Sequence, residues 1–345
     1  MNQDLTHFEP RKNFIQWLPF LCATALAVYF YSGINYITAY GPSSTVFLAL
    51  KALWSYEEWQ HCWLVPAACI LIVWLQRKEL AELPLAPSWL GVPAAMLAFA
   101  FFWLSYRLDD IYFAFLSMQA MVAALILMFL GTAWMKALLF PWLFLVFAWP
   151  LFFLDTLIAF PLRMIMSTAS VHFLNILGIA AEQNGTAILS AADALTGRPA
   201  GKMFSVDVAD PCSGIRSLFA LMMVSSLYGY FTFKSWWKRL LIFLFSAPLA
   251  IIGNLFRILA LTFGTIALGP EIAIGTLEHP TFFHMLAGYV VFVVALGGMV
   301  LVGFLINFDW HRIAGSLRQI SQNKAHPTDC GDDPPDAGTN SRDIY

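Results

Sequence analysis

Charge is what this sequence has least of. Only 12% of its 345 residues are Asp, Glu, Lys or Arg, about half the share of a soluble domain. A shortage of that size excludes a solvated surface wrapped around one core. Cysteine is also sparse. The five cysteines, at positions 22, 62, 69, 212 and 330, form no CxxC pair and no Cys/His spacing, which argues against a disulfide framework, a metal site and a dithiol redox pair. A cleavable leader is not expected either. The first apolar run, Phe14 to Ile34, follows Arg11-Lys12, but it is longer than a signal core and no small-x-small cleavage site follows it. It reads as a retained first helix.

Apolar residues are abundant. They make up 60% of the chain, and 31 Phe with 13 Trp are too many for one soluble core. Several runs of roughly 20 residues carry almost no charge. The fold class expected is an all-α polytopic membrane protein. It would have about eight transmembrane helices and a small extracytoplasmic segment before the sixth. The expected spans are 14–34, 62–75, 89–106, 111–130, 137–154, 212–233, 240–267 and 281–307. Pro141 and Pro150 should kink the fifth. The 35–62 connection holds apolar patches and is expected along the interface.

Lys and Arg near the span ends place both termini inside. The chain then divides into a cytoplasmic N-terminus (1–13), five helices (14–154), an extracytoplasmic or interfacial segment (155–210), three further helices (211–310) and a disordered cytoplasmic tail (311–345). In the third part of that series, residues 161–177 have helical periodicity. Asn184-Gly185 signals a turn between short β-like pieces, and 203–208 (MFSVDV) alternates like a strand.

This topology puts three chemically capable side chains on one leaflet. Cys212 falls at the outer end of the sixth span and His284 at the outer end of the eighth. Arg257 lies about ten residues, roughly 15 Å, below the outer end of the seventh. An earlier end near Thr262 or Gly264 would bring it within two turns of the surface. Asp210 is a good N-cap and Pro211 a good first-turn residue, so Cys212 would sit where the helix dipole stabilises a thiolate. Arg216, one turn on, adds positive charge. A membrane cysteine is otherwise a small packing residue. An arginine within an apolar helix costs about 2.5–3.5 kcal/mol on insertion scales and marks function unless it snorkels. Asn254 shares its face at i−3. His284 could be an interfacial histidine or a catalyst, and Gly288 would let another helix approach. His61, Glu271, Glu278 and His279 are outer-side alternatives in connections. Together Cys212, Arg257 and His284 suit acyl transfer: nucleophile, oxyanion or thiolate partner, and proton carrier.

At these residues the sequence resembles the exosortase/archaeosortase family. PCSGIRSL (211–218), NLFRI (254–258) and HMLAGY (284–289) match its CSGIRSL, NxxR and HxxxG blocks in order and at comparable separations. HCWLVP (61–66), followed by QRKEL (76–80), looks like its HxxLVP segment. The resemblance spans about residues 54 to 305. It implies a cysteine transpeptidase analogous in role to sortase but unrelated in fold. Such an enzyme would act on exported proteins whose C-terminal tail combines a PEP-like motif, a transmembrane helix and a basic cluster. By the same resemblance Cys212, Arg257 and His284 are catalytic, and Arg216, Asn254, Ser213 and Gly288 support them or the substrate. The histidine in third place looks like the bacterial branch. That implies a multi-pass protein of the bacterial inner membrane with a periplasmic active site. Pro211 departs from the family's usual alanine, and no folded extension is expected after the eighth span. No cofactor, metal ion or nucleic-acid partner is expected; membrane lipid and an unidentified acceptor nucleophile are. Two other classes stay open. One is a transporter or flippase for a cell-surface polysaccharide precursor, with Arg257 and Asn254 binding an anion; the absence of an inverted repeat weighs mildly against it. The other is a non-catalytic subunit of an export complex.

Overall fold

Uncharged runs in lipid must satisfy their backbone hydrogen bonds internally, so helices are what they form. The computed structural model is 75% helical. It describes residues 10–308 apart from 39–42, 154–156, 159, 196, 208–214 and 276–280; the side chains of 10–16, 57, 58, 215 and 216 are also outside the description. The first half comprises α1 (Pro10–Gly33), α2 (Val46–Leu53), α3 (Leu64–Leu75), α4 (Arg77–Ala81), α5 (Gly91–Leu108), α6 (Ile111–Leu125), α7 (Thr132–Ala137) and α8 (Leu139–Phe144). Then come α9 (Phe160–Ile176) and three strands, β1 (Ala181–Asn184), β2 (Ala187–Ser190) and β3 (Ser205–Asp207). The chain continues as α10 (Ile215–Thr232), α11 (Trp236–Leu268), α12 (Pro270–Ala273) and α13 (Phe282–Asn307).

Every predicted span contains helix, but the lengths differ. Among the described residues, four helical stretches are long and apolar enough to cross a bilayer: Gly91–Leu108, Ile111–Leu130, Trp236–Leu268 and Phe282–Asn307. Shorter apolar stretches are Trp17–Gly33, Trp59–Leu75, Leu139–Ala148 and Ser217–Thr232. Large apolar side chains such as Leu26, Ile70, Met96 and Val294 face outward, a surface suited to lipid rather than water. This is a multi-pass membrane protein.

Several expectations need correction. The 35–62 connection is not merely interfacial: α2 buries Val46, Ala49, Leu50 and Leu53 in the protein. The second span begins as a 3-10 helix, Glu57–Trp63, before α3. The fifth span is not one kinked helix to 154. It breaks at Leu138, and its final 3-10 turn stops at Ala148, with Trp149 extended. Pro150 therefore follows a helix end instead of kinking a helix interior. The seventh span, expected over 240–267, does run that far and ends at Leu268, so the alternative end near Thr262 or Gly264 is not taken. The all-α class needs one amendment, a three-stranded antiparallel sheet in the order β1-β2-β3. The Asn184-Gly185 turn joins its first two strands, with Gly185 at φ +62°.

Of the apolar clusters among the described residues, which include a smaller one around Leu80, Ile126, Leu130 and Trp134, two position the site. The first gathers α1, α2, α3, α5, α6 and α8 around residues such as Leu53, Cys62, Phe115 and Phe144. Hydroxyl pairs tie α1 to α6, Tyr31 to Ser117 at 2.6 Å, and the segment after α1 to α5, Tyr36 to Ser105 at 2.8 Å. The second joins Met166 and Leu174 of α9, Ile188 of β2 and Phe204 to Ile258 and Leu261 of α11. Between the clusters stands α10. Its Phe219, Met223 and Leu227 pack into the first.

One backbone contact is expected to dominate stability. The π-helical turn Ile126–Leu130 ends at Gly131, whose φ is +96°. A Cβ there would lie 1.9 Å from the Ala86 carbonyl oxygen. Gly131→Ala should cost about 3 kcal/mol or more, through left-handed strain plus a backbone clash. Gly297 has nothing within 4 Å of its ideal Cβ, so Gly297→Ala should leave stability unchanged. Thermal unfolding of the detergent-solubilised protein, followed by size-exclusion chromatography, checks the pair.

Candidate active site

The site rests on the antiparallel pairing of α11 and α13. Small residues on one helix meet larger ones on the other. An ideal Cβ on Gly264 would touch the Phe283 ring, one on Gly253 would lie 3.0 Å from Val291, and one on Gly298 would lie 3.1 Å from Leu249. Glycine at these crossings lets the backbones approach. It also fixes the register that sets Arg257 opposite the start of α13.

That start is held from outside. The Thr281 hydroxyl accepts the His284 backbone N–H at 3.2 Å and donates to the Ala273 carbonyl of α12, also at 3.2 Å. Thr281 thus acts as a side-chain cap, tethered to the short helix that follows α11. The sequence reading began the span at Thr281 and missed this role. A Ser or Thr three residues before the functional histidine was the available signal.

Arg257 meets His284 here. Its Nη2 lies 3.0 Å from His284 Nε2. A guanidinium only donates, so Nε2 accepts and the imidazole is neutral with its proton on Nδ1. The guanidinium also lies against Gly288. An ideal Cβ there would stand 3.5 Å from Arg257 Cζ, Nε and Nη2, so any longer side chain at 288 would press on the guanidinium. Arg257 and His284 are both half-buried. Because α11 continues eleven residues beyond Arg257, the pair does not form at the end of that helix. It forms where α13 begins, alongside the middle of α11.

A cleft opens at this pair. Ser217 and Leu221 of α10, Asn254 and Arg257 of α11, and Gly288 and Val291 of α13 line it. Asn254 is 3% exposed, a buried amide one turn from the arginine. Parts of all three sequence blocks therefore share one cavity. Ser217 lies inside the first block and had not been singled out. The capping reading of Asp210 and Pro211, and the positions of Cys212 and Ser213, fall on 208–214, outside the described residues. Arg216 belongs to α10, with its side chain outside the description. Glu278 and His279 lie outside it too.

His61, an outer-side alternative in a connection, is also close to α10. Its ring stacks on Phe219, with centroids 6.5 Å apart and planes 12° from parallel, and its neighbour Trp59 packs on the same phenyl ring at 5.1 Å. The 3-10 turn that breaks the connection brings it there. Glu271 is on α12, exposed and apart from the residues lining the cleft.

No curated protein and no solved structure gives a significant match to this chain. A family model does: that of the transmembrane exosortases matches residues 53–301. The match takes in the 3-10 turn with His61, the start of α10 and the whole Arg257–His284 cleft, and on that extent the chain belongs to the transmembrane exosortase family.

Proposed function

We propose that this chain is a cysteine transpeptidase of the bacterial inner membrane, working on its periplasmic side. It would cleave the C-terminal sorting signal of exported proteins through a thioacyl intermediate. The observation that carries this reading is the Arg257–His284 contact of 3.0 Å in a cleft that Ser217 also lines, since Ser217 follows Cys212 by five residues in one block. The Cys212 thiolate attacks the scissile carbonyl carbon. Arg257 holds the negative charge that develops on the carbonyl oxygen. The C–N bond breaks and the departing amine takes up a proton. An acceptor amine or water then attacks the thioester, loses its proton, and releases the thiolate.

His284 has two possible tasks, and the contact bears on them. With Nε2 accepting from Arg257, the histidine aims the guanidinium. To receive the thiol proton, Nε2 must first leave Arg257. His284→Gln keeps an acceptor for the guanidinium and cannot carry a proton. If aiming is the main task, the Gln variant should retain at least a tenth of parental turnover, while His284→Ala falls about 10²-fold. Turnover of a tailed reporter measures both. Gln as inactive as Ala would assign proton transfer to His284.

The function itself is tested with an exported reporter that ends in a PEP-like motif, an apolar helix and an arginine cluster. Its tail should be removed in cells that express this chain and retained in cells that do not. Retention in both would contradict the reading.

A further inference from the structure

The sheet ends on β3, which has a paired neighbour on one side only among the described residues. The phase of the pairing decides which backbone groups its open side carries. The Ser190 N–H donates to the Phe204 carbonyl at 3.0 Å. Ser190–Phe204 and, two residues along, Ile188–Val206 are therefore hydrogen-bonded pairs in the register. Val206 directs its backbone to β2, and Ser205 and Asp207 direct N–H and C=O away from it. Both are exposed, whereas Val206 is 3% exposed. The open edge is a frame two residues wide.

The placement of this edge matters as much as its openness. From Asp207 the chain passes through only four residues to Cys212. The sheet is seated by Ile188 and Phe204 on a cluster shared with Ile258 of α11 and with Phe283 and Ala287 of α13. Those helix residues are sequence neighbours of Arg257 and of His284. The edge is thus anchored to both helices that carry the polar pair, and it leads directly into the block that carries the nucleophile. Peptides that must present a backbone carbonyl to a nucleophile bind extended, and unpaired strand edges receive extended peptides by backbone hydrogen bonds.

We propose that the open edge of β3 is a substrate-binding site. The segment of the polypeptide substrate that flanks the scissile bond adds to it as a fourth strand, hydrogen-bonded to Ser205 and Asp207. This rests on the peptidase reading above and deepens it. It makes part of the recognition independent of substrate side chains, with alternate substrate amides facing β3.

Proline variants and modified substrates test it. Ser205→Pro and Asp207→Pro each delete one outward N–H, and a proline on an edge strand is tolerated where the N–H faces away from the ladder. Gln183→Pro deletes the matching outward N–H on the far edge, β1. With the tailed reporter, processing should slow at least tenfold in Ser205→Pro and Asp207→Pro and stay at the parental rate in Gln183→Pro. Parental rates in the first two, or an equal loss in all three, would overturn the proposal. A second measurement uses the parent protein and so does not depend on folding of a variant. Synthetic tail peptides carry one backbone N-methyl group at successive positions around the scissile bond. Slowing at alternate positions supports strand addition; slowing at every position or at none overturns it. A parent protein that leaves the unmodified reporter intact would overturn the peptidase reading as well, whereas processing that ignores the prolines and the N-methyl groups overturns strand addition alone.

Discussion

Cys212→Ala is expected to abolish processing of a tailed reporter, a loss on the order of 10³-fold or more, while the protein still accumulates in the membrane. Alanine removes the atom that would bond to the substrate carbonyl, and a nucleophile cannot be compensated by the groups that assist it. Cys212→Ser is the sharper variant. It keeps the size and the hydrogen-bonding capacity but substitutes a hydroxyl that ionises far less readily than a thiol. Cys212 stands in a polar-to-apolar transition, next to Pro211 and four residues before Arg216, an environment suited to holding a thiolate. The adjoining sequence offers no histidine to deprotonate a serine. Serine should therefore be nearly as inactive as alanine. The competing classes separate cleanly here. A transporter built on Arg257 tolerates Cys212→Ala, and an assembly subunit tolerates replacement of Cys212, Arg257 and His284 alike, provided the variants fold.

Arg257→Lys should lower turnover by about 10- to 100-fold, and Arg257→Ala by about 10²- to 10³-fold. Lysine preserves the positive charge but not the planar fork of donors. In the structure one arm of that fork, Nη2, is engaged by His284, and the guanidinium lies along Gly288 at the cleft. An ammonium on a flexible stem can serve His284 or a developing oxyanion, and it lacks the geometry to serve both. The split between parameters is informative: a group needed in the transition state lowers kcat, whereas a substrate-anchoring group raises KM. The larger part of the effect is expected in kcat. A change confined to KM would place Arg257 in binding and favour the anion-transport class.

Much of this site was legible in the sequence because its residues violate the composition around them. Arg257 and Asn254 interrupt an otherwise apolar helix, and His284 opens another; polar groups at such places are costly in lipid and so draw attention. Their contact was not legible. It depends on glycines at 253, 264 and 298, which set how closely α11 and α13 approach, and on Thr281, which caps α13 from α12. Tertiary packing of this kind leaves no period in the sequence. The same limit explains the misread length of the fifth span, which looked continuous because hydropathy does not register the break at Leu138. The end of α11 was legible from its apolar run: the 240–267 reading stops one residue short of Leu268, and Thr262 and Gly264 are buried in packing that outweighs their weak helix propensity. The Asn184-Gly185 turn and the strand at 205–207 were legible from turn chemistry and alternation, although the open edge they produce follows only from the register.

The central claim is a covalent bond between Cys212 and the substrate, and the most direct measurement is to look for it. The purified protein is mixed with a tailed substrate, quenched in acid, digested, and examined by mass spectrometry for the peptide that contains Cys212. The expected result is a hydroxylamine-labile adduct in which Cys212 carries the N-terminal portion of the cleaved substrate, absent from Cys212→Ala. Continued cleavage by Cys212→Ala at the parental rate would contradict it.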